Sequence, residues 1–158
     1  MKLLGENNGN FVSYSKKHMD IVNNGIAAIH NFLHEADCIE KRSLLFCLDR
    51  FLDPYYGYNL PNFDDIILIL ERQLFIDEND KDIMEDILQL LTDYAKDKLD
   101  YLAKNIENIN PAFLADAIYA IGATYNIKYV PVIHKFENHE NEVVREVAKN
   151  ALIELSGR

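Results

Sequence analysis

At 158 residues the chain is long enough for one core of ordinary domain size, and nothing in it suggests two. Its 49% hydrophobic content and nine tyrosines exclude a disordered chain. A net charge of -10 and a pI near 4.9 set it against nucleic acid and anionic membrane surfaces, both of which would repel it, and leave a basic protein as the electrostatically favoured partner. An acidic surface can also serve solubility alone.

Cys38 and Cys47 do not form a secreted-type disulfide framework, and apolar helical surroundings predict reduced, buried thiols. The first ten residues hold only two leucines where a signal peptide needs a continuous apolar run. The longest apolar run, Ile66 to Leu70, is far short of the ~20 residues of a membrane span, so a cytoplasmic location is expected.

Residues 1–14 are rich in Asn and Gly and read as a flexible lead-in; residues 15–158 read as one helical domain without strands. A first helix is predicted over 16–35, with Ile21, Val22, Ile26, Ile29 and Leu33 as its apolar stripe. Asp37 and Glu40 have the spacing of a reciprocal cap, so a second helix starts there, carries Leu44, Leu45, Leu48 and Phe51, and stops at Asp53-Pro54.

The stretch 53–61 breaks the helical pattern with Pro54, Gly57 and Pro61 and carries Tyr55, Tyr56 and Tyr58. A third helix follows over 62–76, capped by Asn62 and Asp65, with Ile66 to Leu70 buried on most sides. A fourth covers 81–94 with Ile83, Ile87, Leu90 and Leu91 inward, and a fifth covers 95–106 with Leu99, Leu102 and Ile106; pattern alone leaves open whether these two are one bent helix. Asn110-Pro111 opens a sixth helix, which runs to about Thr124.

Shifting the chain by 31 residues superposes Ile83 on Leu114, Ile87 on Ile118 and Leu90 on Ile121. The same shift superposes Ala117 on Ala148 and Ala120 on Ala151. A recurring helix-turn-helix that cannot bury its apolar faces alone implies an α-solenoid, here of about four antiparallel helix pairs.

The last pair carries a family likeness. Pro131, the polar turn from Glu137 to Asn141, Val144-Arg145, Ala148, Ala151, Leu152 and Leu155 resemble a HEAT repeat. In that family the first helix has a proline near its start, and the second opens with Val-Arg and continues with small residues. The family's turn usually holds an Asp six residues before the Arg, where it would pair with it; here that place is His139, which has no carboxylate.

Helical solenoids bind through the second helix of each pair. On the fourth predicted helix Asp82, Glu85, Asp86, Gln89 and Asp93 fall opposite the apolar stripe, with Asp77, Glu78, Asp80, Asp97 and Asp100 nearby. Asp116 and Tyr119 take the matching positions on the sixth helix, and Glu142, Glu146, Lys149 and Asn150 on the eighth. The set reads either as an acidic binding face or as a solvated helix side. Tyr55, Tyr56 and Tyr58 read either as an aromatic anchor or as rings folded back over the first helix pair.

His30, His34 and Cys38 recur every four residues, but the cap at Asp37 ends the helix before Cys38 and no second ligand group follows, so no metal is expected. Residues 77–82 lack the central glycine of a calcium loop and put Lys81 at a ligand place. With no phosphate loop, nucleophile elbow or paired Cys motif, the reading is a protein-binding module without cofactor or catalytic residues.

Small size, strong negative charge and helical character resemble the immunity proteins of bacterial polymorphic-toxin and contact-dependent inhibition systems. That likeness implies a basic toxin domain, such as a nuclease, as the partner, met by the acidic residues with the tyrosines as anchors. The alternatives are a general HEAT-like scaffold or adaptor and a bilin-lyase-like HEAT protein.

Overall fold

The computed structural model describes residues 3–7, 10–56, 60–76 and 79–156. These are helical apart from one hairpin at the start. The hairpin departs from the expected lead-in: strands β1 (Leu3–Asn7) and β2 (Asn10–Ser13) pair antiparallel, with Asn7 opposite Asn10. Two signals for it are present in the sequence. Asn8-Gly9 is the dipeptide that two-residue hairpin loops favour, and Phe-Val-Ser-Tyr over 11–14 alternates apolar and polar residues. Val12 and Tyr14 are buried, and the Tyr14 ring meets Phe46 edge-on at 5.5 Å.

The first predicted helix is two, α1 (Lys16–Asn23) and α2 (Ile26–Glu35). Gly25 separates them at φ 99 and ψ -171, a conformation nearly confined to glycine. A Cβ at this position would meet nothing within 4 Å, so Gly25→Ala is expected to lose about 1–3 kcal/mol in urea unfolding through backbone strain alone. A loss near zero would mean that the bend tolerates a side chain.

Helix α3 (Cys38–Leu52) starts as expected, with Asp37 Oδ1 accepting from the Glu40 N–H at 2.9 Å. The reciprocal half is absent, because the Glu40 carboxylate turns to Lys17 and stands 3.6 Å from His18 Nε2. Helix α4 (Phe63–Gln73) follows Asn62, whose side chain makes no cap hydrogen bond; the backbone there, φ -106 and ψ 26, is not the extended form a capping side chain needs. Ile66, Ile67 and Leu70 are fully buried. Helix α5 (Lys81–Tyr94) is capped by Asp80, which accepts from the Ile83 N–H at 3.0 Å.

The fourth and fifth predicted helices are separate. Lys96 takes a positive φ of 58, and α6 (Asp100–Asn105) begins only after this turn. Two side chains from distant elements hold it. Buried Glu71 of α4 reaches the start of α6, where Oε2 accepts from the Leu102 N–H at 2.7 Å. The Tyr129 hydroxyl accepts from the Leu99 N–H at 3.0 Å and lies 2.8 Å from the Asp97 carbonyl and 2.9 Å from Asp100 Oδ1, so it can donate to either.

Pro111 opens a single 3₁₀ turn that leads into α7 (Leu114–Gly122). The last pair is α8 (Val130–His134), only five residues long, and α9 (Glu142–Ser156). In their turn Arg145 Nη1 donates to the carbonyls of His139, at 2.8 Å, and Glu140, at 3.1 Å. The guanidinium thus satisfies turn carbonyls where an Asp would have offered a carboxylate.

Packing follows the alternation of elements. Helices α3, α5, α7 and α9 contact one another in succession, while α4 packs on α5 and α6, and α8 on α9. Ile87 and Ile118, which the 31-residue shift superposes, are both fully buried, as are Ala117 and Ala148. Among the described residues no helix is long and apolar enough to cross a membrane.

Candidate functional site

Because Ile83, Ile87, Leu90 and Leu91 turn α5 inward, its other side must carry residues 82, 85, 86, 89 and 93. The structure divides that set between two neighbours. Glu85, Gln89 and Asp93 of α5 join Asp116 and Tyr119 of α7 along a groove of about 510 Å³, floored by Leu88 and Thr92. Asp82 and Asp86 face α3, where Asp86 shares a second hollow of about 180 Å³ with Asp49, Gln89 and Asp93.

There Arg42 Nε meets Asp86 Oδ2 at 2.7 Å and Nη2 meets Oδ1 at 3.3 Å, a two-point contact, while Asp82 stands 4.0 Å from the same guanidinium. Burial pushes the Asp86 carboxyl above the usual carboxylate range, and the Arg42 contact opposes it. The Asp86 charge is therefore already answered within the fold.

The groove acids are in the opposite state. Among the described residues, Glu85, Asp93 and Asp116 have no ion-pair partner; Asp93 accepts only from the Gln89 amide, at 3.1 Å to each oxygen. Tyr119, which lines the groove with them, is 63% exposed. Three carboxylates and an aromatic ring around one hollow suit a cationic side chain, by charge and by cation–π contact.

The neighbouring acids serve structure. Asp80 caps α5 and accepts from the Cys38 thiol at 2.9 Å, a contact that holds its carboxyl below the usual range. Asp100 is held low by the Tyr129 hydroxyl and is paired with Lys128 at 3.1 Å. Asp77 and Glu78 lie outside the described residues. On α9, Glu146 and Lys149 stand 4.0 Å apart, and Asn150 faces α7.

Tyr55 and Tyr56 do not line the groove. Tyr55 and Tyr56 sit in a 3₁₀ turn, Pro54–Tyr56, with their rings edge-to-face at 5.6 Å and the Arg50 guanidinium 5.2 Å from the Tyr56 ring centre. Tyr55 is 88% exposed, so its ring does not fold back on the helix pair. Tyr58 lies outside the described residues. A hollow of about 240 Å³ lined by Pro54, Phe63 and Tyr94 shares Asp93 with the groove, which brings the two regions side by side without merging them.

His30 and His34 lie parallel on the exposed side of α2, with ring centres 6.4 Å apart, while Cys38 belongs to the next helix. Among the described residues no group of three or more His, Cys, Asp or Glu is placed to hold a metal ion. Cys47 is fully buried, as expected, and burial pushes its thiol up to about 12. Cys38 differs from expectation: it is half-buried beside Asp80, and burial together with that carboxylate pushes its thiol up to about 11.

Periodicity could not have found Tyr125. It lies beyond the end of α7, at φ 55 and 57% exposed, beside a further hollow between α7 and α9. The chain matches no protein-family model, no curated protein and no solved structure.

Proposed function

We propose that this chain is a HEAT-like helical-repeat module that binds a basic protein through the α5–α7 groove, as an immunity-type inhibitor binds a toxin domain. One observation carries the reading: Glu85, Asp93 and Asp116 converge on one groove with an exposed Tyr119, and none of the three carboxylates has an ion-pair partner among the described residues. The 31-residue match and the succession α3, α5, α7, α9 support the repeat architecture, in which these four are the second helices of stacked pairs. Unpaired carboxylates repel one another, and a cation relieves that repulsion while steering association.

The test is capture from lysate of the source cells at low and high salt, followed by association kinetics with the captured protein. The groove variant is Glu85→Lys with Asp93→Lys and Asp116→Lys; Asp82 and Asp86 are left intact because reversing them would set cations against Arg42. A single basic partner is expected, with an association rate lowered roughly ten- to a hundredfold in the variant and a weaker salt dependence. Equal rates for both proteins would remove the groove from the interaction. Several unrelated partners would favour the adaptor reading.

A further inference from the structure

Helices α5, α7 and α9 leave two adjacent hollows of different chemistry. The α5–α7 groove is acidic, as described. The next, between α7 and α9, is about 340 Å³ and is lined mainly by Tyr119, Tyr125, Ala123, Val147 and Ala151, with Asn150 and Glu154 as its polar residues. Gly122 and Ala151 explain why this hollow is smooth. A Cβ on Gly122 would lie 2.9 Å from the Ala151 Cβ, so the two helices touch backbone to side chain and only small groups line their junction. Tyr119 borders both hollows and forms the ridge between them.

Tyr119 and Tyr125 are 63% and 57% exposed, a large aromatic area to leave beside a hollow. Packed helices lie 8–10 Å apart, so the two hollows repeat at about that distance.

We infer that the partner presents two side chains together: a Lys or Arg that enters the α5–α7 groove, and a bulky apolar residue that enters the α7–α9 hollow, across the Tyr119 ridge. This rests on the reading of the acidic groove and adds the second element of recognition. On an extended segment side chains on one face recur every second residue, about 6.6 Å at about 3.3 Å per residue, so the two would be two residues apart, with side-chain length covering the remaining distance. Charge selects the first position, and the second discriminates among the many basic segments that charge alone would accept.

Selection of short random displayed peptides against the intact chain tests this. Enriched peptides are expected to pair a basic residue with a bulky apolar one at a constant spacing. Repeating the selection against Val147→Gln should keep the basic preference and lose the apolar one, and a peptide selected on the wild type should bind this variant roughly tenfold more weakly. Ala123→Gln places an amide in the same hollow from the other helix and should act alike, which guards against a local folding defect in either variant. Selection against Asp93→Lys with Asp116→Lys should lose the basic preference.

A basic preference without an apolar one, with binding unchanged in Val147→Gln and Ala123→Gln, would overturn the inference and leave the acidic groove standing. No enrichment, or enrichment without basic residues, would overturn both.

Discussion

Glu71→Ala should cost about 2–4 kcal/mol of stability, because it strips the acceptor from buried N–H groups at the start of α6. The pH dependence of Glu71→Gln is the more telling result. Burial raises the Glu71 carboxyl from 4.5 to about 7, against the opposing pull of the Leu102 and Tyr101 N–H groups. The folded chain therefore keeps this proton up to about pH 7, while the unfolded chain releases it near 4.5. Between those values the folded state binds more protons, so the Glu71 contribution falls as pH rises through the window and levels off above it.

Integrated over the window, the fall is about 3 kcal/mol. Gln cannot ionise and still offers an oxygen to the Leu102 N–H. Urea unfolding of both proteins at pH 4.5 and pH 8 isolates the effect, since groups common to both cancel. The wild type should lose about 3 kcal/mol relative to the variant on going to the higher pH. A difference that stays constant with pH would show that the carboxyl titrates normally and that water reaches it.

The second large effect is expected at Gly122. Its hypothetical Cβ meets the Ala151 Cβ at 2.9 Å and the Ala151 Cα at 3.1 Å, and neither atom can rotate away. An alanine would ordinarily favour a helix by about 0.5–1 kcal/mol over glycine. Here the helices would have to separate, and overpacking costs typically about 1–3 kcal/mol, so the clash should outweigh the propensity. Gly122→Leu should cost more than Gly122→Ala and lower the thermal midpoint further. The double variant Gly122→Ala with Ala151→Gly should recover much of the loss, because it moves the one methyl group from α9 to α7. If Gly122→Ala alone raised the midpoint, the close approach of α7 and α9 would be wrong.

Both predictions concern contacts between residues about thirty positions apart, which marks the limit of what could be read from the chain. Helical elements were legible because their signals are local. The period of Ile83, Ile87, Leu90 and Leu91 aims α5, the cap at Asp37 starts α3, and Pro111 opens the turn before α7. The same period exposed Glu85, Gln89, Asp93, Asp116 and Tyr119 as outward residues, and these line one groove. Two departures are also local: Gly25 breaks the helix inside an apolar stripe, and strands pair at 3–7 and 10–13 where Asn and Gly content predicts a lead-in.

Tertiary structure decided the rest, because helical period tells which way a residue points and not what stands opposite. Asp86 and Asp93 are both outward on α5, yet Arg42 neutralises the first and leaves the second to the groove. Glu71 reads as one more acid between apolar residues, and only the arrival of α6 makes it a buried cap. Composition and periodicity determined helices, their inward faces and an acidic side; which of those charges remain available for a partner depended on the neighbour each one met.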